Sequence, residues 1–186
     1  MDTREQIIEV AQGLAQRRGF NAFSYADISE AIGIRKASIH HHFPTKQDLE
    51  LEMVARYRDS FQNALEEISI THTSSIAQLR AYGALYAATL QSGKICLCGM
   101  MATDLMALPE AMRIPLAGFF SDQLEWLSNV LDVGRRCGEI AFRGGVEQRA
   151  KTLLACFQGG LIIARSRDDT QFFQTLMDDQ IASVAQ

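Results

Sequence analysis

The sequence predicts an all-α protein: a small N-terminal bundle of three helices followed by a larger helical domain, eight to ten helices in total. Three observations carry this. Apolar residues recur at helical spacing nearly throughout the chain. Only three prolines occur (Pro44, Pro109 and Pro115), and none lies in an alternating, strand-like run. Hydroxyl-bearing caps and glycine stops punctuate the pattern at intervals suited to helices.

The elements follow in order. Thr3 to Gln6 reads as a capping box that opens a first helix, with Ile7, Ile8, Ala11, Leu14 and Ala15 on one stripe and Gly19 as its stop. Ser24, with Asp27 three residues on, opens a second helix over Tyr25 to Ile32 that ends at Gly33. A third, short helix covers about Lys36 to His42. Pro44 stops it, since proline cannot continue the hydrogen-bond ladder. Thr45, with Asp48, caps a long fourth helix from Lys46 to about Ile70, carrying Leu49, Met53, Tyr57, Phe61, Leu65 and Ile68 on one face. Further helices are expected over Ser75 to Gln91, a broken stretch from Ile95 to Leu108, Pro109 or Glu110 to Arg136, Val146 to Arg167, and Asp169 to Val184. The boundary between the two parts is placed inside the fourth helix, giving residues 1–48 and 49–186.

Composition narrows the class. Of 186 residues, 47% are apolar and 22% charged, which is ordinary for a soluble globular protein. No apolar run is long enough to span a bilayer, and the N-terminus lacks the apolar segment of a secretory signal, so a cytoplasmic location is expected. Cys96, Cys98, Cys137 and Cys156 fit reduced thiols in such a compartment. The net charge is −4, yet residues 1–48 hold six basic and six acidic side chains and sum to zero. The acidity therefore belongs to the C-terminal part, and a nucleic-acid contact by the N-terminal part is not opposed by charge.

The informative segment runs from Tyr25 to Phe43. Two short helices joined by a turn containing Gly33 have the layout of a helix-turn-helix, with Ile28, Ile32, Ile34 and Ile39 forming the small core between them. The exposed face of the second of these helices then presents Arg35, Lys36, Ser38, His41 and His42, donors suited to phosphates and base edges in a major groove about 12 Å wide. Lys46, in the first turn of the next helix, adds its charge to the helix dipole and reads as a phosphate site. The run His40, His41, His42 is not a metal site, because consecutive helical residues point ~100° apart.

This segment resembles the TetR family of transcriptional regulators. The resemblance covers residues 3 to about 52 and rests on Gly19-Phe20, Ser24-Tyr25-Ala26-Asp27-Ile28, Ala31-Ile32-Gly33-Ile34, and His42-Phe43-Pro44-Thr45-Lys46-Gln47-Asp48-Leu49. It implies a homodimeric repressor, with two recognition helices on a palindromic double-stranded operator and a small-molecule effector bound in the C-terminal domain. By the same resemblance, Ser24 and Tyr25 match phosphate-contacting positions, Arg35, Lys36, Ser38, His40 and His41 match the recognition helix, and Lys46 matches a phosphate-binding lysine. Two residues depart from the family pattern. Ala37 stands where glycine is common, and His40 stands where tyrosine is usual, which makes any phosphate contact there pH-dependent.

In the C-terminal part, Gly93 to Met106 is rich in sulfur. Cys96, Cys98, Met100, Met101 and Asp104, with Phe119 and Trp126, form the expected effector-binding or sensing set, because methionines make adaptable apolar walls and Asp104 can orient a ligand. A sharper reading makes Cys96 or Cys98 a sensor of an electrophile or oxidant, its thiol activated by Lys94 or a helix N-terminus. The bland reading makes both small core residues. The dimer is expected on the last two long helices, with Leu153, Phe157, Gly160, Leu161, Ala164, Phe173 and Leu176 facing the partner. Competing functions are an activator or structural nucleoid protein, a redox enzyme using Cys96 and Cys98 as a dithiol, and a helical protein-interaction module. The sequence holds no Ser/His/Asp set, phosphate-cradling glycine loop or cofactor motif, so neither an enzyme nor a cofactor or metal is expected.

Overall fold

The computed structural model describes residues 2–106 and 108–185; Ala107, within the expected broken stretch, lies outside them. Among the described residues there are nine α-helices and no strand: α1 Thr3–Arg18, α2 Tyr25–Ile32, α3 Lys36–His42, α4 Lys46–Thr71, α5 Ser75–Gln91, α6 Leu97–Thr103, α7 Arg113–Arg136, α8 Val146–Ser166 and α9 Thr170–Ala182. Short 3-10 turns at Phe20–Ala22 and Glu110–Met112 precede α2 and α7.

The chain forms two compact units. The first comprises Met1–Ser60 and Cys96–Gly118, the second Phe61–Ile95 and Phe119–Gln186. The short helix α6 therefore belongs with the N-terminal bundle, whereas the sequence grouped it with everything after residue 48.

In the first unit, the cap of α1 lies one residue earlier than expected. Asp2, with extended backbone angles, is the cap residue in place of Thr3, and its N–H donates to the Glu5 carboxylate at 3.2 Å. The α1 stripe of Ile7, Ile8, Ala11 and Ala15 is buried with Phe20, Ile28, Ile39, Phe43, Leu49 and Met53. Arg4 makes a two-pronged ion pair with Glu52 of α4, and the Arg56 guanidinium donates to the Glu5 carbonyl at 3.4 Å, so charged contacts fix α1 along the start of α4.

In the second unit, α5, α8 and α9 pack on one another. Leu79, Tyr82, Leu153, Phe157, Leu161, Phe173, Met177 and Ile181 are buried there. The rings of Tyr82 and Phe157 stack at 5.8 Å, and Phe157 meets Phe173 edge-on at 5.9 Å. The polar atoms inside are satisfied: Tyr82 donates to the Gln123 side-chain carbonyl at 2.8 Å, Tyr86 donates to the same oxygen, and the Gln123 amide donates to the Phe119 carbonyl at 3.2 Å. Glu139 caps α5 from outside, accepting from Ser74 Oγ and Ser75 N–H at 3.0 and 2.8 Å.

Candidate functional site

The helix-turn-helix is built from local signals. Ser24 caps α2: its Oγ accepts from the Ala26 N–H at 3.2 Å and donates to Asp27 at 2.7 Å, while the Ser24 N–H donates to the same carboxylate at 2.8 Å. These bonds favour the ionised carboxyl and hold its pKa below the ordinary range. Arg18 reaches Asp27 at 3.1 Å from the end of α1. Gly33 ends α2 at φ 71°, a left-handed angle that costs a glycine little and other residues more. Ser29 Oγ donates across the turn to the Ile34 carbonyl. Ile39 and Ile28, both fully buried, lock α3 to α2.

That packing leaves one side of α3 outward. Arg35, Lys36, His40 and His41 are exposed and Ser38 is half-buried. Among the described residues neither Arg35 nor Lys36 is in a salt bridge, and residues 31–47 contain no Asp or Glu. An electropositive, unneutralised helix face with hydroxyl and imidazole donors suits a phosphate-lined groove.

Three of the expected phosphate contacts are otherwise engaged. Lys46 donates its ammonium to the carbonyls of Phe20 and Phe23 at 3.2 and 3.1 Å and lies 4.3 Å from the centre of the Phe23 ring. It therefore ties the turn before α2 onto α4 and is not a free surface cation. The Tyr25 hydroxyl lies 2.9 and 2.7 Å from the Phe43 and Thr45 carbonyls, with the His40 ring edge-on at 4.8 Å. Burial, then the charges of Asp48 and Glu50, push that phenol up to about 12. Tyr25 so fixes the junction of α3 and α4 from the α2 side. Ser24 has its hydroxyl in the cap.

The expected effector set is divided. Cys96, Cys98 and Met101 are fully buried in the first unit, Met100 and Asp104 are half-buried there, and Asp104 accepts from Asn21 at 3.3 Å. Cys96 caps α6, its sulfur accepting from the Gly99 N–H at 3.4 Å. Burial, reinforced by the neighbouring Cys96, raises the Cys98 thiol pKa; the Arg58 charge opposes this without offsetting it. An activated thiolate at Cys98 does not fit this environment. In the second unit, Phe119 is a core residue against Phe61 at 5.3 Å. Trp126 instead borders a groove of about 550 Å³ between the later part of α4 and α7, with Leu65, Glu66, Asp122 and Glu125. Glu66, Asp122 and Glu125 were not singled out in the sequence, although the spacing of Asp122, Glu125 and Trp126 places them on one face of α7.

The expected dimer stripe packs largely within the chain. Leu153, Phe157, Gly160, Leu161, Ala164 and Phe173 are buried within the chain, and Leu176 is half-buried. A Cβ on Gly160 would stand 2.5 Å from Leu176 Cδ2, so the close approach this glycine allows is to the chain's own α9. The outward side of α8 instead carries Ala155, Gly159, Ile162 and Ile163, the two isoleucines 48% and 46% exposed.

Comparison with known proteins agrees with this architecture. The model for bacterial regulatory proteins of the tetR family matches residues 7–53. A TetR-family transcriptional regulator from Agrobacterium tumefaciens is 31% identical, with 98% of this chain and 97% of that one aligned at a TM-score of 0.94. The chain belongs to the TetR family. A TetR regulator from Legionella pneumophila is 32% identical over 99% of this chain and 98% of its own, at a TM-score of 0.89. The transcriptional repressor NemR of Escherichia coli K12 is 26% identical over 88% of this chain and 84% of its own. As a TetR protein the chain is a DNA-binding transcriptional regulator, with its helix-turn-helix in α2 and α3. Among the described residues no helix is long and apolar enough to cross a membrane.

Proposed function

We propose that this TetR protein is a homodimeric repressor that acts in the cytoplasm, binds a palindromic operator through α3 of each protomer, and is released by a small molecule bound in the helical part beyond residue 48. The observation that carries the reading is the α3 face: Arg35, Lys36, Ser38 and His41 presented outward on a capped, packed helix pair, with no carboxylate from residue 31 to 47. In this reading Arg35, Lys36 and His41 meet phosphates and base edges. Ser24, Tyr25 and Lys46 hold α2 and the α3–α4 junction in register, and backbone N–H groups at the start of α2 remain oriented toward a phosphate. Repression rather than activation is supported by the related NemR, a repressor by name.

The outward face of α8 supports the dimer. Gly159 has open space where a Cβ would lie, and Ile162 and Ile163 are exposed apolar groups beside it. A second copy packing α8 on α8 about a two-fold axis would cover them. Release works by population shift: the effector must bind two arrangements unequally, one with recognition helices at the ~34–36 Å spacing of successive major grooves. α6 is a suitable relay, since it lies in the same compact unit as the helix-turn-helix and its end is tied to Asn21. Cys96 and Cys98 serve this reading as packing residues of α6. A redox dithiol would need an accessible thiolate, which their burial opposes.

Selection from randomised duplexes tests the proposal. The native chain should enrich a palindrome, and the variant Arg35→Ala/Lys36→Ala should enrich nothing. Failure of the folded native chain to enrich any site at low salt overturns it.

A further inference from the structure

The groove between the later part of α4 and α7 has a composition that selects its occupant. It is about 550 Å³ in volume, within the range that accepts a drug-sized molecule. Glu66 of α4 and Asp122 and Glu125 of α7 border it, and among the described residues no Lys, Arg or His does. Glu66 and Glu125 are exposed, and among the described residues neither is in a salt bridge. Leu65 and Trp126 supply its apolar surface.

Trp126 is held in place before any ligand arrives. Its indole N–H donates to Ser69 Oγ at 2.9 Å, and its ring stacks on Tyr82 at 5.5 Å with 27° between planes. Tyr82 is itself anchored by its bond to Gln123. The ring therefore loses little freedom when a ligand packs on it. Among the described residues no three acidic, histidine or cysteine groups converge as a metal site. An indole also offers nothing to a hard, strongly hydrated metal ion, whereas it attracts a bulky, weakly hydrated cation.

We propose that this groove binds an organic cation, a quaternary or tertiary ammonium on an apolar or aromatic body, and that this is the effector class of the protein. The carboxylates of Glu66 and Glu125 supply long-range attraction and the Trp126 face supplies contact with the alkylated nitrogen. The effector part rests on the repressor reading above; the binding part stands on the groove alone.

The test uses the full chain, whose only tryptophan is Trp126, so indole fluorescence reports the groove directly and calorimetry checks it. The probes are benzyltrimethylammonium, neutral N-benzylacetamide and anionic phenylacetate. The cation is expected to bind at least about tenfold more tightly than either comparator, and to weaken as salt rises. Glu66→Gln/Glu125→Gln, which keeps shape on an exposed surface, should reduce cation affinity about tenfold and leave the circular dichroism spectrum unchanged. Equal binding of cation and neutral probe, or no change in the double variant, overturns the cation site even if an operator has been found and other compounds release it. Selective cation binding that lowers affinity for the selected operator supports the whole proposal. Selective binding with unchanged operator affinity keeps the cation site and overturns the effector assignment.

Discussion

Replacing Lys46 by alanine separates two roles that a phosphate-site lysine and a structural lysine would share in a simple binding assay. The ammonium holds two backbone carbonyls, those of Phe20 and Phe23, at 3.2 and 3.1 Å and lies against the Phe23 ring. Hydrogen bonds to a charged group contribute about 1.5–3 kcal/mol each. The side chain is one-third exposed, and both carbonyls regain water when it is removed, so the net cost is about 2 kcal/mol. For a chain of this size that lowers Tm by roughly 4–8 °C. Operator affinity should also fall, because the turn before α2 loosens, but the salt dependence of binding should not change. Loss of a true phosphate contact reduces the slope of log K against log salt by about 0.9 per protomer. Thermal denaturation and fluorescence anisotropy across a salt series measure both quantities. A Lys46→Ala variant with native Tm and a reduced slope would refute the structural role.

Three further outcomes follow from the same geometry. Glu50 is buried beside Lys46 at 3.9 Å, and burial raises its carboxyl to about 7 against the partial opposition of that lysine. The folded chain therefore holds a proton that the unfolded chain releases near 4.5, so this group's stabilisation is present at low pH and is lost as pH rises through about 7. Glu50→Gln should be more stable than the native chain by about 1–2 kcal/mol at pH 8 and nearly equal to it at pH 5, by urea denaturation; equal stability at pH 8 would count against the buried charge. Native-state alkylation followed by mass spectrometry should label exposed Cys137 first and Cys96 and Cys98 last; early labelling of Cys98 would revive the thiol-sensor reading. Gly160→Ala should cost about 1–2 kcal/mol, since the added carbon meets Leu176 and Phe173 and helix propensity returns only part of the loss; an unchanged denaturation midpoint would contradict the packing of α8 on α9.

What was legible in the sequence was written in local chemistry. Ser24, Asp27, Gly33, Thr45 and Asp48 act on neighbours within a turn, and the bounds of α2 and α3 and the start of α4 agree with them. The α1 cap was misplaced by one residue because Asp2 caps as well as Thr3 and stands beside it. The roles of Lys46 and of the α8 stripe were not legible. The carbonyl partners of Lys46 lie 23 and 26 residues away and carry no signature in sequence. An apolar stripe states that something covers Leu153, Phe157 and Leu161, but not whether it is this chain's α5 and α9 or another copy. Ile162 and Ile163 sit outside the stripe and attract no notice until the inner face has been filled. The membership of α6 in the N-terminal unit is likewise a tertiary fact, set by contacts with α1 that lie some eighty residues back in the chain.

The measurement that bears most directly on the central claim is the affinity of Arg35→Ala/Lys36→Ala for the selected operator and for random duplex of equal length, by anisotropy at fixed salt. If α3 reads the operator, the variant loses at least about a hundredfold on the operator and far less on random duplex, with Tm unchanged, since each good base contact is worth about 1–3 kcal/mol. Equal operator affinity for the native chain and a folded variant would mean that this face of α3 does not read DNA.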